Sequence, residues 1–419
     1  RKAVEHAECS GSPDARGSAL HALSKALHFL SNIETREDKK IGLLKEALEC
    51  RNELDKIVQK AFPSNHWLSG VNKSYQGLIK EDLATIQRNP EEKRTLLEDA
   101  ALSMEDGVSD CRRWISSRPA PTQIAAVGSY EDSLGRVLND IYLSTKDTAT
   151  LRRAIKAIED AAEQFKKVKM PSRVAESYWK IARNHDRLGE YHKAAEDFEN
   201  ASKEYATAAQ NTPKFAAFYE DYARYMKAWG EIEKACAAHE SERYVEAMKH
   251  YEETADLLRQ TKSWSYLCSN FSAWSLLERA EDLSRKGNST ESIETFAEAA
   301  ERFEEAKETF EIEMDRIQNP DEKDMISELR KASLRRKDYC HARMMMEEAR
   351  ISDQKGHCEE SAEKYGSAAD VFERMLETEA DKSEIRPILC MCRAWQKMKK
   401  ADMSASPELY HEASELFLA

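Results

Sequence analysis

The chain is poor in the residues that break helices. Its 419 residues include 13 Gly and 10 Pro, well under the roughly 7% and 5% of an average protein. Strand-and-turn folds need many turn residues, so this scarcity points to long helices with few interruptions. No run of 18 apolar residues occurs, which excludes an ordinary membrane-spanning helix. There is no G-x-x-x-x-G-K-[ST], no G-x-G-x-x-G and no H-E-x-x-H, so the usual phosphate cradles and zincin site are missing. The net charge is -13, whereas a duplex or membrane-surface binder usually carries a basic excess. The nine Cys are scattered and odd in number. This is not the pattern of a disulfide framework, and it fits reduced thiols in a cytosolic setting. The chain begins at Arg1 without a Met and stops at Ala419 after a repeat-like aromatic, and it is read as a fragment of a longer protein.

What the chain does have is a recurring phrase, a turn residue followed by small and aromatic residues at fixed spacing. It reads Gly189, Tyr191, Ala194, Phe198, Ala201. It returns as Gly287, Ser289, Ser292, Phe296, Ala299 and as Gly356, Cys358, Ser361, Tyr365, Ala368. Two further copies lack the Gly: Tyr244, Ala247, Tyr251 and Tyr410, Ala413, Phe417. Offsets of three and four residues place these side chains on one helical stripe. Small residues let the next helix approach and aromatics fill the gaps, so stacked helix pairs bury a core that no single pair could. Leu151, Ile155, Ile158, Ala161, Ala162 and Phe165 form another such stripe.

Helix starts are legible as caps. Asn89-Pro90-Glu91-Glu92 and Asn319-Pro320-Asp321-Glu322 repeat one device, in which Asn caps orphan N–H groups, Pro takes the first helical position and acids face the positive end. Ser116-Ser117-Arg118-Pro119-Ala120-Pro121-Thr122 cannot be mid-helix and marks a soft boundary. The organisation expected is an irregular helical section over 1–120, with residues 1–18 frayed, followed by helical repeats over 121–419.

The copy from Tyr178 to Tyr205 resembles a tetratricopeptide repeat. Tyr178, Ile181, Ala182, His185, Gly189, Tyr191, Ala194, Phe198 and Ala201 fall at that family's pattern positions, although His185 replaces an aromatic and no Pro closes the unit. The turns recur every 45 to 69 residues rather than about every 34, so the units carry longer or additional helices. Such long repeats are also similar to those of SNAP-type adaptors. The resemblance implies an all-α solenoid of antiparallel helix pairs in a right-handed superhelix, with roughly 18 to 22 helices expected.

Carried over by position, the first helix of each pair lines a concave groove. That places Trp179, Lys180, Arg183 and Arg187 on the groove side, with Trp229, Trp274, Arg343 and Arg350 from equivalent helices. Trp and Arg often dominate interface energy, and Arg matches carboxylates bidentately. The expected partner is therefore a protein or an extended, partly acidic peptide, with no nucleic acid, no cofactor and no metal. The opposing reading packs these Trp between helices.

Other constellations point to packing rather than chemistry. Cys390 and Cys392 are one residue too close for the usual zinc or redox spacing and lie on different helix faces. Cys340-His341 and His357-Cys358 are neighbours in sequence, whereas catalytic pairs are normally brought together by the fold. His21 and His28 share a face without further ligands. Met344, Met345 and Met346 spread around a helix as core filling. Glu408–His411 is a single E-x-x-H where di-iron bundles need two. The basic run Arg330, Lys331, Arg335, Arg336, Lys337, Arg343 follows an acidic stretch and reads as a solvated face with acidic neighbours. No constellation supports an enzyme within these residues. An interaction scaffold in the cytoplasm leads. The alternatives are the sensing arm of a larger effector enzyme and a SNAP-like membrane-traffic adaptor.

Overall fold

A computed structural model describes residues 1–317, 320–378 and 385–418. Every regular element among them is helical. By contacts the chain divides into two compact units, Arg1–Tyr219 and Glu220–Ala419.

The first unit holds α1 (Lys2–Ser10), α2 (Pro13–Ile33), α3 (Glu37–Ala61), α4 (His66–Ile86), α5 (Pro90–Ser117), α6 (Pro121–Thr145), α7 (Thr148–Lys167), α8 (Pro171–Arg187) and α9 (Tyr191–Asn211). The second is built from α10 (Ala216–Glu240), α11 (Tyr244–Arg259), α12 (Cys268–Arg285), α13 (Ser289–Arg316), α14 (Pro320–Gln354), α15 (Cys358–Thr378), α16 (Ile385–Ser404) and α17 (Pro407–Leu418). Within each unit nearly all packing joins helices adjacent in the chain, and the short turns make neighbours antiparallel.

Seventeen α-helices are described, fewer than the 18 to 22 expected, because the individual helices are long: α14 alone has 35 residues. Residues 1–18 are not frayed. Ser12 caps α2 through the Ala15 N–H, and α1 ends on Gly11 in the left-handed region. The Ser116–Thr122 stretch spans the end of α5, the turn Arg118, Pro119, Ala120 and the start of α6, inside the first unit. Asn89 caps α5 as expected, accepting from Glu91 N at 3.0 Å; the Asn319 cap lies outside the described residues.

Five turns share one geometry. After α8, Gly189 N donates to the Asp186 carbonyl and Glu190 N reaches back to the His185 carbonyl. The same two bonds follow α12 at Gly287 and α14 at Gly356, and they recur at Lys169 and Glu242, where a non-glycine residue holds φ of 57° and 54°. Each is a double-bonded helix C-terminus that needs a left-handed residue. The expected stripe of α7 is buried in full, and Phe198, Phe296 and Tyr365 of the repeated phrase are buried with their small partners Ala201, Ala299 and Ala368.

Candidate functional site

The residues expected to line a groove lie on α8, α10, α12 and α14, the first helices of successive pairs. Side chains cross between these first helices at each step within a unit. His28 of α2 meets Asp82 of α4 at 2.5 Å, Glu81 of α4 meets Arg136 of α6 at 2.8 Å, and Asp132 of α6 takes Lys180 of α8 at 2.6 and 2.8 Å. In the second unit His239 of α10 meets Glu278 of α12 at 2.8 Å, Arg343 of α14 meets Glu281 of α12 at 2.6 Å, and Lys399 of α16 meets Asp353 of α14 at 2.7 Å.

This ladder decides how much of the expected site is available. Lys180 is tied to Asp132 by two bonds. Arg187 donates to Asn139 of α6 and, at 3.0 Å, to Asn184. Arg343 is buried, bonded to Glu281 and Ser284 and packed over the Phe296 ring. Burial alone would lower its pKa, but Glu281, Tyr339 and Glu347 together outweigh that and hold it up. Arg350 donates to the Ser284 carbonyl and to Glu347, itself fully buried and accepting from Ser284 and Ser289. Trp274 is half-buried against the core. It stacks on Tyr251 at 5.6 Å, stands edge-on to Phe303 at 5.9 Å and is covered by the Arg336 guanidinium at 4.6 Å. Trp229 is half-buried and edge-on to Tyr225. Arg343 is therefore covered between helices, while Trp274 packs on its neighbours with part of its side chain left accessible. Position in a repeat says which face a residue occupies, but not whether the next helix already covers it.

Arg183 differs. It is exposed on α8, one turn beyond half-buried Trp179 and one turn before Arg187, and it forms no ion pair among the described residues.

The basic run on α14 is also largely paired. Arg330 meets Glu311, Lys331 meets Glu328 and Lys337 meets Glu304. Burial raises several acidic groups: Glu81 and Glu131 are pushed up to about 7 despite contacts with Arg136 and Arg112, and Glu278 rises despite His239. Burial likewise pushes the Cys111 and Cys392 thiols up to about 12 and Cys340 higher still, so these thiols stay protonated. Among the described residues no three His, Cys, Asp or Glu side chains converge as metal ligands. Nor is any helix long and apolar enough to cross a membrane.

One residue escaped the sequence reading. Arg51 of α3 is fully buried. The signal was present: Ala47, Arg51, Leu54 and Val58 follow the 4-3-4 spacing of a core stripe, so an Arg stands where an apolar residue is expected.

No family model matches the chain, and no curated protein matches it. Solved structures do. A circular tandem repeat protein with novel repeat topology is 14% identical over 100% of this chain and 86% of its own, with a TM-score of 0.22. Yeast Tom70 is 13% identical over 94% of this chain and 99% of its own, with a TM-score of 0.26. The human IFIT1 dimer with PPP-AAAA is 13% identical over 95% of this chain and 94% of its own, with a TM-score of 0.23. At such scores whole chains superpose poorly, and the assignment rests on this chain's own helix order and turns. Helix pairs packed in chain order, joined by left-handed turns that precede small-and-aromatic stripes, make the fold a tetratricopeptide-like helical repeat.

Proposed function

We propose that the chain is a protein-interaction scaffold, not an enzyme, and that the Trp179–Arg183 row of α8 takes an acidic segment of a partner. The carrying observation is Arg183. Its neighbours Lys180 and Arg187 are fixed by α6 while its own guanidinium is exposed without an ion pair among the described residues. A guanidinium held on a rigid helix beside an indole suits bidentate recognition of a carboxylate. Scaffold work also fits the ion pairs between alternate helices, since such pairs fix the helix that presents Arg183.

The test is affinity capture from lysate of the source organism with the wild-type chain and a Trp179→Ala/Arg183→Glu variant of unchanged helicity, followed by mass spectrometry. A partner held by the wild type and lost by the variant supports the reading. A partner held equally by both moves the site away from α8.

A further inference from the structure

Between the start of α2, the end of α3 and the start of α4 lies a cavity of about 350 Å³, within the size range of small-molecule sites. Ile57 of α3, Phe62 just beyond it, and Trp67, Leu68 and Val71 of α4 line it. All five are half-buried. An apolar body seated there removes from water surface that the chain itself leaves wet, which favours binding.

One lining residue carries a charge. Asp14 stands in the first turn of α2, exposed, and forms no ion pair among the described residues. It is not consumed as a cap, since the Ala15 N–H bonds to Ser12 Oγ at 3.3 Å. The cation nearest in sequence, Arg16, is committed to Glu8 at 3.2 Å and to Glu53. Among the described residues no Lys or Arg lines the cavity.

The lining away from Asp14 is neutral, and this sets a direction. His21 lies two turns further along α2, about 10 Å down the helix axis. Its Nδ1 is 3.0 Å from Arg51 Nη1. A guanidinium only donates, so Nδ1 accepts and the ring is neutral; burial, then Arg51, lower the His21 pKa to about 4. Asn72 Nδ2 is spent on the Arg51 carbonyl, to which it donates at 3.1 Å. Arg51 itself is fully buried and stands outside the lining. Its charge opposes a cation beside His21, while Asp14 attracts one at the other end.

We propose that this cavity binds a small apolar amine of the arylalkylammonium kind, with its ammonium on Asp14 and its ring among Ile57, Phe62, Trp67, Leu68 and Val71. Phe62 and Trp67 supply the broad aromatic area that an aryl ring packs on. The ligand gives Asp14 the counter-charge that its neighbours do not. The site shares no residue with the α8 row, so either can fail without the other.

Calorimetric titration of the full chain with three probes of one shape tests it: tryptamine, a cation; tryptophol, its neutral alcohol; and indole-3-propionate, an anion. Saturable tryptamine binding at millimolar concentration or below is expected, severalfold tighter than tryptophol, as an exposed ion pair allows, with indole-3-propionate weakest. Asp14→Asn should bring tryptamine down to the affinity of tryptophol and leave tryptophol unchanged, with the melting temperature unmoved. Ser18→Trp, at an exposed position of the lining, should occupy the cavity and weaken tryptamine and tryptophol alike, by about tenfold or more. The wild-type probe series decides the matter should either variant not fold. Absence of saturable tryptamine binding, equal affinity for tryptamine and tryptophol, a tryptamine preference that survives Asp14→Asn, or binding untouched by Ser18→Trp would overturn the proposal.

Discussion

The α4–α5 and α12–α13 pairs solve one packing problem with opposite side chains. In α4–α5 the backbones nearly touch. A Cβ added at Gly70 would lie 2.6 Å from the Gly107 carbonyl oxygen, and one added at Gly107 would lie 2.7 Å from that of Gly70. In α12–α13 the space is filled instead, by Phe296 and Phe303, neither of them exposed, against the small Ala273 and Ala280 of the partner helix. A glycine contact leaves no room to give, whereas an aromatic contact leaves a hole when it is cut. The two pairs should thus respond to opposite substitutions.

The largest effect is expected at the aromatic pair. Phe303→Ala leaves a cavity beside Trp274 and should lower stability by about 3 to 5 kcal/mol in denaturant unfolding. A loss near 1 kcal/mol would mean that the neighbours collapse into the space. Next comes Gly107→Ala. It adds only a methyl group, but meets backbone on the facing helix, so a loss of about 2 to 3 kcal/mol is expected. Neutral behaviour would mean that the two helices separate freely, removing the contrast.

Buried carboxyls in both units make stability depend on pH, and the values are resolved in the first unit. Burial holds Glu81 and Glu131, both in the first unit, at about 7, above the usual carboxylate value near 4.5. The folded chain therefore binds these protons more tightly than the unfolded chain does. Their contribution is fully present below about pH 4.5 and is lost as pH rises through about 7. A Glu81→Gln/Glu131→Gln variant should show a shallower fall in melting temperature over that window than the wild type. An equal or steeper fall would place the titration elsewhere.

The smallest effect tests the turns. Glu242 holds the left-handed geometry that Gly287 supplies without a side chain, so Glu242→Gly should stabilise by about 1 kcal/mol or less, while Gly287→Ala should destabilise by about 1 kcal/mol. Equal responses from the two sites would show that Glu242 is held by its surroundings rather than strained.

Much of the fold was legible because its signals are local. Gly189, Gly287 and Gly356 mark turns by a backbone requirement, and the α7 stripe from Leu151 to Phe165 marks a buried face by spacing alone. The turns at Lys169 and Glu242 were less legible, since tertiary packing imposes there a conformation the residue itself does not announce. The site was less legible still. Trp274 and Arg343 have the composition of an interface, but their covering partners, Tyr251, Phe303 and Glu281, come from other helices. The burial of Arg51 shows in the spacing of its own stripe, but its partners Ser24 and His21 come from α2 and do not.

Packing between chain neighbours has a kinetic consequence. A fold whose contacts close over short sequence distances needs little loop closure before it gains energy, so each unit should form quickly. A helix pair can nucleate on its own stretch of chain and recruit the next one. The same locality lets single pairs open without dragging the rest, so amide exchange should report a graded series of openings along the chain rather than one all-or-none event.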